Sequence, residues 1–281
     1  MATILSGKEI SAKVKAKLTE RVKTLSEKGK TPGLAVIIVG DDPASKVYVG
    51  RKEAMCQELN MYSEKYALPA ETTQGELVSL IERLNNDDKI HGILVQLPLP
   101  KGLDEKAVIN TINPEKDVDA FHPVNVGKIM IGDFDFVPCT PAGIMEMIKE
   151  SGCEVEGKNC VVIGRSNIVG KPMSMLLLHK NGTVTTCHSK TKNLKEITKE
   201  ADILVAAVGR ANFVTADMVK EGAVVIDVGM NRLEDGTLCG DVDYAEVSKI
   251  AGAITPVPGG VGPMTISMLM QNTITAAEKK L

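Results

Sequence analysis

What most limits the fold of this 281-residue chain is a unit that keeps returning: a short apolar run, a break rich in Gly or Pro, then a stretch patterned as a helix. Residues 33–39, 92–97, 159–163, 203–208 and 223–228 are such runs, and 183–187 and 252–255 are weaker examples. A half-covered strand alternates apolar with polar side chains, whereas a run without alternation is covered on both faces. Helices between such strands imply parallel sheets with right-handed crossovers. The expected fold is therefore α/β in two domains with a cleft between them. An N-terminal α/β catalytic domain takes residues 1–138 plus 267–281, and a C-terminal Rossmann-like, doubly wound parallel sheet takes 139–266.

Helix signals fit this rhythm. Ile10, Val14, Leu18, Val22 and Leu25 form one stripe, preceded by Ser6 and Glu9 in capping-box spacing and ended by Gly29 and Pro32. Asp42-Pro43 opens a second helix that runs to about residue 58. A strand at 61–67 and helices at 76–84, 140–151 and 265–280 complete the pattern, the last packing back on the first domain. Net charge is −3, so no global basic field invites nucleic acid. No apolar run approaches the roughly 20 residues that span a bilayer. The N-terminus lacks a leader pattern, which makes a cytoplasmic location the expectation. The six cysteines and four histidines show neither paired nor metal-ligand spacing, so no metal is expected.

The segment Val-Val-Ile-Gly-Arg-Ser-Asn-Ile-Val-Gly-Lys-Pro, residues 161–172, reads as strand, glycine turn and helix start, the arrangement that offers backbone N–H groups to a phosphate. Its Gly-x5-Gly spacing meets the dinucleotide fingerprint only in part, and an ordinary turn with a surface arginine has the same letters. An NAD site needs Asp or Glu at the end of the next strand; here that strand ends His188-Ser189-Lys190-Thr191. Hydroxyls and cations accept a 2′-phosphate that a carboxylate repels. Gly164, Arg165, Ser166 and Ser189 thus point to NADP, although a solvated polar loop also fits. Gly209 and Gly229 follow the third and fourth strands, where backbone would approach a dinucleotide closely.

In the first half, Tyr48 and Lys52 share one helix face, a pair suited to proton traffic but also common as a surface contact. Gln96 ends an otherwise apolar run, so its amide serves either a cleft or its own loop. Asp117 and Asp119 lie in a loop where a carboxylate can receive N–H donors of a heterocycle or merely make a turn. Residues 256–265, with Pro258, Gly259 and Gly260, form a rigid turn that admits a ligand closely.

Taken together, the blocks Gly40-Asp41-Asp42-Pro43-Ala44-Ser45 with Tyr48 and Lys52, residues 95–100, Lys116-Asp117-Val118-Asp119, Pro138-Cys139-Thr140-Pro141, 164–172, 183–191 and 256–265 resemble the bacterial bifunctional methylenetetrahydrofolate dehydrogenase/cyclohydrolase family. The resemblance implies oxidation of 5,10-methylenetetrahydrofolate by NADP, then hydrolysis to 10-formyltetrahydrofolate, in one cleft. It implies Lys52 as the proton-transfer group, Tyr48 stacking on the folate, Gln96 tuning Lys52, Asp119 holding the pterin, and Pro258, Gly259 and Gly260 lining the substrate. It also implies a cytoplasmic homodimer in one-carbon metabolism and purine biosynthesis. Ala120 departs from the family's usual Gly, which matters if that position needs positive φ. A shikimate dehydrogenase-like NADP enzyme and a non-enzymatic folate or nucleotide sensor are the competing readings; the first gives Gln96 no role, and intact Lys52, Gln96 and Asp119 argue against the second.

Overall fold

The computed structural model describes residues 2–281, and Ala44 by its backbone only. Met1, read above as part of the first domain, and the Ala44 side chain within the 40–45 block lie outside the described residues. The chain divides into two compact units: Val14–Cys139 with Ile266–Leu281, and residues 2–13 with Thr140–Thr265. The opening elements are β1 (Thr3–Ile4) and α1 (Gly7–Glu27).

The first unit continues with β2 (Gly33–Val39), α2 (Pro43–Glu58), β3 (Tyr62–Leu68), α3 (Gln74–Asn85), β4 (Gly92–Val95), α4 (Glu105–Thr111) and α5 (Pro123–Ile131). Its sheet is parallel, in the order β3-β2-β4. Every residue of β2 and β4 is buried, as their unbroken apolar runs require. Alternate residues Ala35, Ile37, Val39, Ile93 and Val95 form one face, on which Leu77, Leu80, Ile81 and Leu84 of α3 and Val108 of α4 pack. Asp42 caps α2 by accepting the Ser45 N–H at 2.7 Å, with Pro43 in the first turn. Thr73 and Glu76 close a full capping box on α3.

The second unit holds α6 (Cys139–Glu150), β5 (Asn159–Ile163), α7 (Gly170–His179), β6 (Thr183–Cys187), α8 (Leu194–Lys199), β7 (Ile203–Ala206), β8 (Val224–Asp227), the hairpin β9 (Asn231–Arg232) and β10 (Leu238–Cys239), α9 (Tyr244–Val247) and β11 (Ala253–Ile254). Residue 139, at the start of α6, counts with the first unit. The last helix, α10 (Val261–Glu278), begins in the second unit and ends in the first. Six parallel strands run in the order β1-β11-β8-β7-β5-β6. The order places β5 between β6 and β7, so its glycine turn lies between their ends, where a doubly wound sheet reverses direction.

Residues 2–13, expected in the first domain, belong instead to the second unit. β1 adds to the sheet edge, Thr3 opposite Ala253 and Ile4 opposite Ile254, and the Gly7 N–H donates to Gly259 O at 2.9 Å. A two-residue strand paired with a segment 250 positions away leaves no periodicity to read. For the same reason α4, α5 and the β9–β10 hairpin carry too few residues to stand out in the sequence.

His91 sits between β2 and the start of β4, accepting the Gly33 N–H on Nδ1 at 3.1 Å. Burial, with the charges of Lys280, Lys30 and Lys116, pushes its pKa down to about 4. The folded protein therefore prefers neutral His91, and the stability it contributes is present above about pH 6.5 and lost as pH falls toward 4. Replacing His91→Gln keeps an acceptor and removes the titration. Urea midpoints measured at pH 7 and pH 5 are expected to fall less in the variant than in the parent.

Candidate active site and cofactor loops

α2 buries a stripe of Ser45, Val49, Lys52 and Cys56, continued by Leu59 just past its end. Lys52 is the odd member: its amine lies on the apolar side of the helix, only 7% exposed. Burial lowers its pKa, opposed by the charge of Asp119. Nζ donates to Gln96 Oε1 at 2.8 Å. Gln96 is the residue after β4; its N–H continues the ladder to Ile37 O at 2.8 Å, and Nε2 donates to Leu97 O at 2.7 Å. That second bond fixes which end of the amide faces Lys52. Tyr48, one turn earlier on α2, is half-buried.

Asp119 reaches this group through a stretch whose preceding residues are all tied down. Residues 116–119 run beside β4, with the Ile93 N–H donating to Lys116 O at 2.8 Å. Lys116 is 2% exposed and donates to Leu84 O at 2.9 Å and Asp87 O at 2.7 Å, holding the end of α3; burial draws its pKa down to about 8. Asp117 accepts from the N–H groups of Phe121 and His122 and from Asn125 Nδ2, at 2.8 to 3.2 Å. Val118 O receives Asn272 Nδ2 at 2.8 Å. Asp119 is left facing Lys52 and the Cys139 thiol; burial raises its pKa while Lys52 opposes the rise. Ala120 has φ +57°, so this turn needs the left-handed conformation and takes it with an alanine, at a cost of about 1 kcal/mol. Asp119 stands out in the sequence, whereas Lys116, Asn125, Cys139 and Asn272 acquire their tasks only in the fold. Only the unusual density of charge in Lys-Asp-Val-Asp hinted at the anchors.

In the second unit, β5 and β6 pair with Ile163 opposite Cys187, and the Gly164 N–H donates to Cys187 O at 2.9 Å. The turns carrying Gly164-Arg165-Ser166 and His188-Ser189 therefore leave from adjacent strand ends. Gly164 has φ +137°, and a Cβ there would lie 2.4 Å from Ala207 O. Ser166 Oγ accepts the N–H groups of Val169 and Gly170 at 3.1 and 3.3 Å, organising the start of α7. Ser189 is exposed in a turn closed by the His188 N–H on Thr191 Oγ1 at 2.8 Å. No carboxylate stands among residues 188–193. Gly209 has φ +70°, and its N–H, with those of Val208 and Arg210, goes to the carboxylate of Asp241. Gly229 packs against that same carboxylate, a reason for glycine that the sequence did not reveal. Pro258, Gly259 and Gly260 lie in the turn before α10, Pro258 and Gly259 exposed.

Two family models together match most of the chain: the tetrahydrofolate dehydrogenase/cyclohydrolase catalytic domain over residues 5–119, and the NAD(P)-binding domain of the same family over 138–281. The chain belongs to the tetrahydrofolate dehydrogenase/cyclohydrolase family. It is 63% identical over 277 residues to the bifunctional protein FolD of Acetivibrio thermocellus, covering 99% of this chain and 97% of the relative. The crystal structure of the Campylobacter jejuni bifunctional FolD methylenetetrahydrofolate dehydrogenase/cyclohydrolase matches over 100% of both chains, with 50% identity and a TM-score of 0.97. The Trypanosoma brucei enzyme, solved with NADP cofactor and inhibitor, matches with 40% identity and a TM-score of 0.95 over 99% of this chain and 98% of that one. Family membership places the Lys52 cluster in the catalytic domain and the Gly164 loop in the NAD(P)-binding domain. It also sets aside the shikimate dehydrogenase-like and sensor readings.

Asp117 is the anchor with most to lose. Asp117→Ala leaves three donors, one buried and two part-buried, without this acceptor and is expected to destabilise the chain by about 2–3 kcal/mol, read as a lower urea midpoint at pH 7.

Proposed function

We infer that this chain oxidises 5,10-methylenetetrahydrofolate to 5,10-methenyltetrahydrofolate with NADP and hydrolyses the product to 10-formyltetrahydrofolate. It is an oxidoreductase and a hydrolase in one chain. The observation that carries the reading is the buried Lys52 amine, held at 2.8 Å by an amide whose orientation is itself fixed.

Hydrolysis of a methenyl bridge adds water to the bridging carbon and breaks one carbon–nitrogen bond. A proton must leave the water as the carbon–oxygen bond forms, and one must reach the departing ring nitrogen. Lys52 serves both needs. Burial favours its neutral amine, which takes the water's proton and then returns it to the nitrogen; the hydroxyl's remaining proton goes to solvent. Gln96 Oε1 keeps the amine aimed, and Asp119 stops the pKa from falling further. In this reading Asp119 also receives N–H donors of the pterin and Tyr48 stacks on the folate. Pro258, Gly259 and Gly260 complete the substrate contacts.

The dehydrogenase step asks less of acid–base chemistry and more of positioning. NADP, when bound, supplies the hydride acceptor. Arg165, Ser166 and Ser189 would hold its 2′-phosphate, and Gly164, Gly209 and Gly229 would offer backbone at the strand ends. The adjacent β5 and β6 ends, bearing a cation and hydroxyls with no carboxylate, favour NADP over NAD. The Trypanosoma brucei relative, solved with NADP, supports this choice.

We further propose a cytoplasmic homodimer that serves one-carbon metabolism and supplies formyl groups for purine biosynthesis. Among the described residues no helix is long and apolar enough to cross a membrane.

Lys52→Met is expected to slow methenyltetrahydrofolate hydrolysis by roughly 10²–10⁴-fold, followed as loss of the methenyl absorbance. Normal hydrolysis by that variant would remove Lys52 from the mechanism. In the parent, hydrolysis should rise with pH and level off above the pKa of Lys52, at a midpoint below the ordinary lysine value of about 10.4. For the cofactor, methenyl formation assayed with NADP and with NAD should favour NADP, and Arg165→Ala should cut that preference by roughly 10–100-fold through loss of a charge-assisted contact. Absence of turnover with either cofactor would refute the dehydrogenase assignment.

A further inference from the structure

The second unit contains two buried carboxylates that the mechanism does not use. Asp227 ends β8 and is 3% exposed; Asp241, after β10, is 0% exposed. Asp241 Oδ2 accepts the N–H groups of Val208 at 2.5 Å and Gly209 at 2.9 Å. Its Oδ1 accepts the Arg210 N–H and Asn231 Nδ2, both at 2.9 Å. Asp227 in turn accepts the N–H groups of Gly229, Asp241 and Val242, at 2.9 to 3.0 Å. Two glycines make the room. A Cβ on Gly229 would lie 2.2 Å from Asp241 Oδ1, and one on Gly240 would lie 1.8 Å from Asp227 Oδ2.

Three successive N–H groups around a residue of positive φ form a concave anion site, the kind of nest that elsewhere holds a phosphate. Here the chain fills the nest with its own carboxylate. With four bonds and no exposed surface, Asp241 has no lone pair left for a ligand. What it does is join the turn after β7, residues 208–210, to the turn after β8, residues 229–231. These are the carboxyl ends of neighbouring parallel strands, the edge where open α/β sheets bind ligands.

We propose that Asp241 is a positioning residue for the cofactor: it clasps the 208–210 and 229–231 turns in the arrangement that receives NADP, without touching NADP itself. The proposal rests on the NADP reading above. It differs from a general structural role because the bonds its side chain makes are confined to one strand-end turn, residues 208–210, and one hairpin residue, Asn231.

The test is direct titration of the free protein with NADP by calorimetry, with amide exchange followed in the absence of cofactor. Asp241→Asn keeps the size of the side chain but turns one acceptor into a donor facing the Val208 and Gly209 N–H groups. Roughly tenfold or greater weakening of NADP binding is expected. Exchange at residues 208–210 should quicken while that of β5 stays slow. In the dehydrogenase assay the KM for NADP should rise, with the KM for the folate substrate within about twofold of the parent. If Asp241→Asn does not fold, Asn231→Ala removes one donor at the hairpin and is expected to weaken NADP about threefold. A folded variant that is less stable yet binds NADP as tightly as the parent overturns the proposal. If the parent itself takes up no NADP, it is the cofactor reading that fails, and this proposal falls with it.

Discussion

A primary amine on the buried stripe of a helix is tolerable only where acceptors meet it, and much of the first unit follows from that one requirement at Lys52. Burial alone pushes the amine toward its neutral form, and a carboxylate beside it favours the charged form. Gln96 provides a neutral acceptor at hydrogen-bond distance and Asp119 a charge that moderates the shift. Both must arrive with fixed orientation. Gln96 is fixed because it leaves a fully buried strand and spends its own N–H groups on Ile37 O and Leu97 O. Asp119 is fixed because the three residues before it are bound to α3, to the start of α5 and to Asn272.

The second unit solves a different problem with a similar economy of parts. Parallel strands end along one edge, so their turns crowd together and their N–H groups have no ladder to join. Some of these groups are settled within the chain, as Ser166 settles the start of α7 and Asp241 the turn after β7. Glycines at 164 and 229 then record where backbone or a carboxylate comes too close for a Cβ. Their meaning is internal packing as much as ligand approach.

Much of this was legible in the sequence. The unbroken apolar runs at 33–39, 160–163 and 203–206 are buried strands because no polar residue interrupts either face. Asp42-Pro43 begins α2 because the carboxylate caps it and the proline needs no N–H acceptor. Tyr48 and Lys52 fall on one helix, and Gln96 at a strand end, by spacing alone. Less legible were the partners supplied from far away: Asn272 for Val118, Lys116 for the end of α3, Asp241 for residues 208–210. A single Asp or Asn in a loop carries no periodicity, and its acceptors or donors are decided by topology.

The sequence by itself determined the fold class, the positions of the catalytic and cofactor blocks and the family, because these rest on local patterns of apolar spacing, turn residues and ordered motifs. Only the tertiary structure decided that Thr3 and Ile4 join the second sheet, that Ala120 occupies a left-handed turn, that Gly209 is tied to Asp241 and that Gly229 packs against it. Each of those depends on a contact between residues distant in sequence or on a backbone angle. The side chain that makes the contact looks the same in the sequence whether or not the contact forms.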